Sequence, residues 1–220
     1  MELTYYGFRN VVGAYFEMPT SDARRILPAH LQPAELQHSR SIFAVTCFEF
    51  SESMVGAYNE VVLAIVVPPL VEYGKPLPKA GFHPFMVATT SAASRQHAIE
   101  RWHLPHYMQD MEITFTSSDG RMVVGLRDDG KPVLTMVVTD HEYEPTRNLY
   151  NCFMTEGSGR FKANIYMEGP HSVHEEERGS LEIHPHPMTA GLTLADLGTV
   201  PFREEWYQKG MQTFEPLERL

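Results

Sequence analysis

The chain has 220 residues, 43% of them hydrophobic and 21% charged, which is enough for one globular domain with a sizeable core. Acidic residues outnumber basic ones by 28 to 18, a formal charge of −10. A surface that negative repels phosphate backbones and anionic headgroups, so neither nucleic acid nor a membrane surface is an expected partner.

Strand signals dominate the chain. Segments 11–18, 42–50, 58–67, 84–90 and 111–117 are rich in β-branched and aromatic residues and are bounded by turn formers. Residues 121–140 read as a hairpin turning at Asp128-Asp129-Gly130, because glycine accepts the positive φ of such turns, and "SSDGR" before it is another tight turn. Segments 161–169 and 179–184 supply two later strands.

Helices are few and short. One spans 20–27 with Thr20 or Ser21 as its cap and Pro28 at its end; another spans 91–103 and stops ahead of Pro105, since the residue before a proline resists helical geometry. A single turn at 192–198 closes on Gly198. No repeat, low-complexity tract or linker divides the chain, so residues 1–220 read as a single domain. Many strands with a few short helices predict a mainly β, α+β-embellished fold, an antiparallel barrel or sandwich.

The segment at 58–67 carries a further implication. Alternation puts Tyr58, Glu60, Val62, Ala64 and Val66 on one face and Asn59, Val61, Leu63, Ile65 and Val67 on the other. Both faces are mostly apolar, so both are expected to be covered. A carboxylate there is costly unless it is paired or functional.

The N-terminal "MELTYYGFRN" lacks a charged-then-apolar signal pattern, and the longest apolar run, 61–67, stops at Pro68 and is too short to span a bilayer. Cys47 and Cys152 lie in strand-like apolar contexts, where buried, reduced thiols are expected; this fits a cytoplasmic protein. There is no Gly-rich phosphate loop, no G-x-S-x-G elbow and no cysteine spacing for a metal. Eleven histidines include His103-x-x-His106 and His171-x-x-His174. The first pair flanks a proline and the second reads as a solvated loop beside the acidic run 174–178. No metal and no cofactor is expected.

Five segments in order carry a resemblance. They are "FRNVVGAYFEM" with an arginine ahead of the first strand, "ILPAHLQP", the Y-x-E strand "AYNEVVLAIVV", the helix end "AIERWHLPHY", and "ADLGTVPFREEW". Together they resemble the acetoacetate decarboxylase superfamily over nearly the whole chain. The resemblance implies an antiparallel cone-shaped β-barrel around an apolar cavity, a small-molecule substrate and a homo-oligomer. It also implies a reactive lysine directly after the proline, with a second lysine beside it. Burial and the neighbouring cation then leave the amine free to attack a ketone, for which acetoacetate decarboxylase is the standard example.

This sequence departs at that point: His106 follows Pro105, and Tyr107 follows it. Imidazole forms no stable imine, so the inherited mechanism is absent there. Five lysines remain; Lys75, Lys79, Lys131 and Lys209 read as exposed, and Lys162 alone sits on a strand that can reach a cavity. Arg9 and Glu60 match the family's pocket arginine and its Y-x-E glutamate. Arg9 is then a carboxylate anchor, or else a strand-edge surface residue. Glu60 is a general base or an orienter of His106, or a carboxylate paired with Arg9 for structure alone. His106 is suited to proton transfer by its ordinary pKa of about 6.5, or is a loop histidine filling a vacated space. Tyr107 is a donor to a developing enolate, or packing; Tyr58 lines the cavity, or the core. The expected function is acid–base chemistry on a small keto or hydroxy acid or polyketide-like intermediate: dehydration, cyclisation, enolisation or decarboxylation without an imine. The alternative is a binding protein that uses the same cavity without catalysis.

Overall fold

The computed structural model describes residues 2–220. Its strands are β1 (Thr4–Pro19), β2 (Arg40–Glu52), β3 (Tyr58–Val67), β4 (Gly81–Thr89), β5 (Glu112–Ser118), β6 (Arg121–Asp128), β7 (Lys131–Thr139), β8 (Glu144–Glu156), β9 (Gly159–His174), β10 (Ser180–Ile183), β11 (Arg203–Phe214) and β12 (Glu218–Arg219). Two α-helices, α1 (Thr20–Ile26) and α2 (Ala92–Trp102), complete it with three short 3-10 turns.

The large sheet runs β11-β1-β2-β3-β4-β8-β9, with β12 on the edge of β9, and pairing of β9 with β11 closes the seven strands into a barrel. Six of its seven seams are antiparallel; the seventh, between β4 and β8, is parallel. The sequence reading expects an antiparallel barrel throughout. The parallel seam arises because the chain leaves the barrel after β4, builds α2 and the β5–β7 meander, and re-enters along β8 in the same direction. A separate sheet, ordered β10-β7-β6-β5, packs against the outside of the barrel.

That packing makes the main core. Val12, Ala14 and Phe16 of β1, Val45 of β2 and Leu63 and Ile65 of β3 meet Met122, Val124, Leu126, Leu134, Met136 and Val138 of the second sheet. Strand β3 is therefore covered on both sides, as its sequence predicts: Val61, Leu63, Ile65 and Val67 face the second sheet, while Tyr58, Glu60, Val62 and Ala64 line the barrel interior. The hairpin turns are also where the glycines place them, with Asp119-Gly120 at φ 49° and 73° and Asp129-Gly130 at 48° and 72°.

Three local expectations are corrected. Helix α1 takes Pro19 as its N-cap, without a side-chain cap, because the Thr20 hydroxyl is engaged by Ser41 Oγ at 2.9 Å. His171 and His174 are buried members of β9 rather than loop residues, since β11 pairs alongside them. Strands β11 and β12 also form where no strand is read, and β8 extends over Glu144–Glu156 where only the surroundings of Cys152 read as strand-like. Helix α2 matches its expected bounds: Ser91 accepts a hydrogen bond from the Ser94 amide, and His103 ends the helix in the left-handed region at φ 54°. Among the described residues no helix is long and apolar enough to cross a membrane.

Candidate functional site

The barrel encloses a chamber of about 120 Å³. Its walls are largely aromatic, with Phe48 and Phe50 from β2, Phe82 from β4 and Phe214 from β11, and α2 covers one end with Ala98 and Trp102. Trp102 Nε1 donates to the Tyr6 hydroxyl at 2.9 Å, and His97 Nε2 lies 2.8 Å from the same oxygen. The helix is thus fastened to β1 across the chamber end.

The ionisable carboxyls among the lining residues are Glu60 and Glu205, and no lysine, arginine or histidine lines the chamber. Glu60 is buried, and burial alone raises its pKa to about 8; neither a hydrogen bond nor a cation counters it. At neutral pH it therefore holds its proton. Tyr6 and Tyr58 lie beside it: burial pushes Tyr6 up to about 12 with Glu60 contributing, and Tyr58 higher still for the same two reasons. Cys152 shares this wall as a free thiol, pushed up to about 12 by burial and then by Glu60, which removes it as a nucleophile.

The other expected residues lie elsewhere. Arg9 is a surface residue with 72% of its side chain exposed, 3.7 Å from Glu49. Register irregularities in the β1–β2 ladder at Gly7/Phe8 and Phe8/Asn10 explain this. The bulge uses up one residue, so Phe8 and Val11 both belong to the interior cluster and Arg9 turns outward, against simple alternation. Glu60 and Arg9 are therefore not paired.

His106 is buried, but outside the set of residues that line the chamber. Its backbone neighbours clamp it to β4, with the Val87 amide donating to Pro105 O and the Tyr107 amide to Val87 O, both at 2.8 Å. Both ring nitrogens are buried without a hydrogen-bond partner, and burial, then Arg95, lowers its pKa to about 4. Tyr107 faces the second sheet, where its hydroxyl donates to Asp128 at 2.8 Å and its ring meets His186 edge-on. Lys162 is fully buried on β9 but points out of the barrel, held by Glu72 and by Glu218 at 2.9 Å. Of the expected residues, the structure brings only Glu60 and Tyr58 together.

The part of the wall built by β8, β9 and β11 holds residues that the sequence reading missed. Glu205 on β11 accepts from Arg203 Nε at 2.8 Å and from the Tyr150 hydroxyl at 3.2 Å. Tyr150 and Tyr207 hydroxyls are 2.9 Å apart, and Asn148 Nδ2 donates to Tyr207 at 2.6 Å. His171 stacks on Tyr207, its Nε2 3.7 Å from Glu205 and unpartnered. Burial opposes ionisation of Glu205, but His171 and Arg203 outweigh it and its pKa is lowered. Outside this wall, Lys79, Asn148, Tyr150, His171 and Arg203 border a polar recess that shares Tyr150 with the chamber. The signal for these residues was the alternation Glu205-x-Tyr207 within 203–214, hidden by the charges of "REE". Among the described residues no group of three or more His, Cys, Asp or Glu is placed to hold a metal ion.

No protein-family model and no curated protein matches the chain. Solved structures do. Acetoacetate decarboxylase from Legionella pneumophila superposes with a TM-score of 0.69 at 14% identity, covering 99% of this chain and 87% of that one. The enduracididine biosynthesis enzyme MppR gives 0.68 at 13% identity, with 99% and 87% covered. An acetoacetate decarboxylase-like enzyme from Sphingomonas wittichii RW1 gives 0.63 at 14%, with 99% and 92% covered. These likenesses concern the fold.

Proposed function

We propose, from the premise that this chain has the acetoacetate decarboxylase-like fold, that it is an acid–base enzyme of lyase or isomerase type. Its substrate is a small carbonyl compound bound inside the barrel, and it forms no imine. One observation carries this reading: Glu60, a buried carboxyl without a partner, faces the chamber and keeps its proton at neutral pH. A neutral carboxylic acid in an apolar site donates a strong hydrogen bond to a carbonyl oxygen and hands over its proton as charge develops there. Tyr58 and Tyr6, both kept as phenols, stand beside it as further donors.

The same lining argues against a Schiff base. None of the five lysines borders the chamber. Lys162, the buried lysine of β9, is committed to Glu72 and Glu218 on the outside. Enolisation, dehydration and cyclisation need only proton movement, and they fit the groups present. Decarboxylation fits less well, because Arg9 is outside and no other cation lines the chamber to hold a carboxylate.

That absence of cations also favours a second reading, a binding protein whose guest is held by apolar contact and one hydrogen bond to Glu60. A panel of small ketones, β-hydroxyketones and keto acids separates the two. Turnover by the native protein that falls at least about 100-fold in Glu60→Gln, with affinity kept, supports the enzyme. Binding without turnover of any member, unchanged by Glu60→Gln, supports the carrier. Borohydride trapping with a keto acid followed by mass spectrometry should leave Lys162 unmodified.

A further inference from the structure

Three strands run from the polar recess into the chamber on one face. On β8, alternation puts Asn148, Tyr150 and Cys152 on the same side. Asn148 borders the recess, Cys152 borders the chamber, and Tyr150 between them borders both. On β11 the same spacing carries Arg203 in the recess and Glu205 in the chamber. On β9 it carries His171 in the recess and Met167 in the chamber. The recess, about 350 Å³, is therefore a continuation of the barrel interior and not a separate hollow. Among the described residues Tyr150 alone borders both spaces.

Its side chain is fixed where the two spaces meet. The hydroxyl donates to Glu205 at 3.2 Å and lies 2.9 Å from the Tyr207 hydroxyl, and the ring packs on Phe82 with centroids 5.9 Å apart. Tyr207 is held in turn by Asn148 Nδ2 at 2.6 Å and by the stacked ring of His171. The two sides of this partition are chemically unlike. The chamber is walled by aromatic and thioether groups, whereas the recess offers Lys79 and Arg203 as donors and Glu142 and Glu144 as acceptors.

We propose that Tyr150 is the specificity-determining residue of this interior: its ring closes the chamber towards the recess and limits the guest to a short ketone that ends inside the chamber. This rests on the reading that a small carbonyl compound binds inside the barrel, and it applies to an enzyme and to a carrier alike. A longer guest must displace the ring, which breaks the hydrogen bonds to Glu205 and Tyr207 in a close-packed wall. Apolar contact alone separates ligands that differ by a methylene by modest factors, so a rigid obstacle is the stronger filter. Without the ring, a ketone whose chain ends in a hydroxyl reaches donors and acceptors beyond it.

NMR titration with 2-butanone and with 8-hydroxy-2-octanone tests the proposal. The methyls of Met154 and Met167 report on the chamber and those of Val173 on the recess. In the native protein 2-butanone should move the methionine methyls alone, and the long ketone should bind no more tightly despite its extra apolar surface. Tyr150→Ala should shift the preference towards the long ketone by at least about tenfold, with Val173 and the methionines moving together. Tyr150→Leu removes the ring with a smaller loss of volume and should shift the preference in the same direction, so the test stands if the alanine variant does not fold. Tyr150→Phe keeps the ring without its hydroxyl and should keep the native preference within about threefold.

An unchanged preference in the alanine variant, or in the leucine variant where alanine does not fold, overturns the proposal. A native protein that binds the long ketone more tightly, with both sets of methyls moving, also overturns it, because the interior is then undivided. If Tyr150→Phe is as open as the alanine variant, the hydrogen bonds and not the ring make the closure, and the role of the ring falls. If neither ketone moves a chamber methyl in any of these proteins, the functional reading beneath the proposal fails instead.

Discussion

Glu204 and Glu60 are both carboxyls withdrawn from water, and their surroundings are opposite. Glu204 lies at the joint of the barrel with the second sheet. It accepts from the Thr139 amide at 2.7 Å, the Thr139 hydroxyl at 3.0 Å, the Arg178 amide at 3.0 Å and the Gly179 amide at 2.8 Å. Glu60 faces the chamber, and burial acts on it unopposed. Where the fold needs a buried carboxylate for shape, it surrounds it with donors. A group left without them, in a chain that can build such a nest, is held ready for something that arrives from outside.

The strongest way to break that comparison is at Glu204. Glu204→Ala strands four donors in the joint, and urea unfolding should register a loss of at least about 3 kcal/mol. A loss below about 1 kcal/mol would put Glu204 in the same class as any surface carboxylate.

Glu60 should show the reverse behaviour. Its folded pKa, about 8, lies above its ordinary 4.5, so between those values the folded state holds a proton that the unfolded state has released. Its contribution to stability is therefore complete below pH 4.5 and is lost as pH rises towards 8, by up to about 1.4 kcal/mol per unit. Glu60→Gln should remove that decline, and the difference between the two proteins should grow steadily across this window. Parallel stability curves would mean that Glu60 ionises normally in the fold.

His106 sharpens the contrast from the other side of pH 6. Its folded pKa of about 4 lies below the ordinary 6.5, so the unfolded state binds the extra proton and stability falls as pH drops from 6.5 to 4. Replacing it by leucine, His106→Leu, leaves no partner stranded, because neither ring nitrogen has one. The variant should unfold at a lower pH than the native protein, with stability at pH 7 within about 1.5 kcal/mol. The smallest effect belongs to Arg9→Ala. For an exposed side chain loosely paired with Glu49, a change within about 0.5 kcal/mol and unaltered guest binding are expected. A binding defect there would return Arg9 to the candidate site.

The same residues explain what was legible beforehand. The two apolar faces of 58–67 announced a strand covered on both sides, and with it the cost of Glu60. The Asp-Gly turns announced the meander of β5, β6 and β7. Arg9 was misplaced because a bulge changes the side-chain count without changing the sequence pattern. The histidine after Pro105 drew attention by its position in a motif, yet two hydrogen bonds to Val87 fix where its backbone runs. Glu205 went unnoticed because its neighbours in sequence, Arg203 and Glu204, are charged as well. Only the ring closure of β11 onto β1 and β9 turns one member of that run inward.

The parallel seam is the shortest junction in the ring. Every other junction in the ring is a long ladder, whereas β4 and β8 meet through two residue pairs, Gly81 with Asn151 and Phe82 with Cys152. Phe82 and Cys152 are themselves part of the chamber wall. Gly81 has no room for a β-carbon, which would stand 2.9 Å from Val67 O, so the join is tight but brief. Breathing of a closed ring concentrates at its shortest stitch. Amide exchange of Gly81 and Phe82 should therefore be faster than that of their counterparts on β2 and β3.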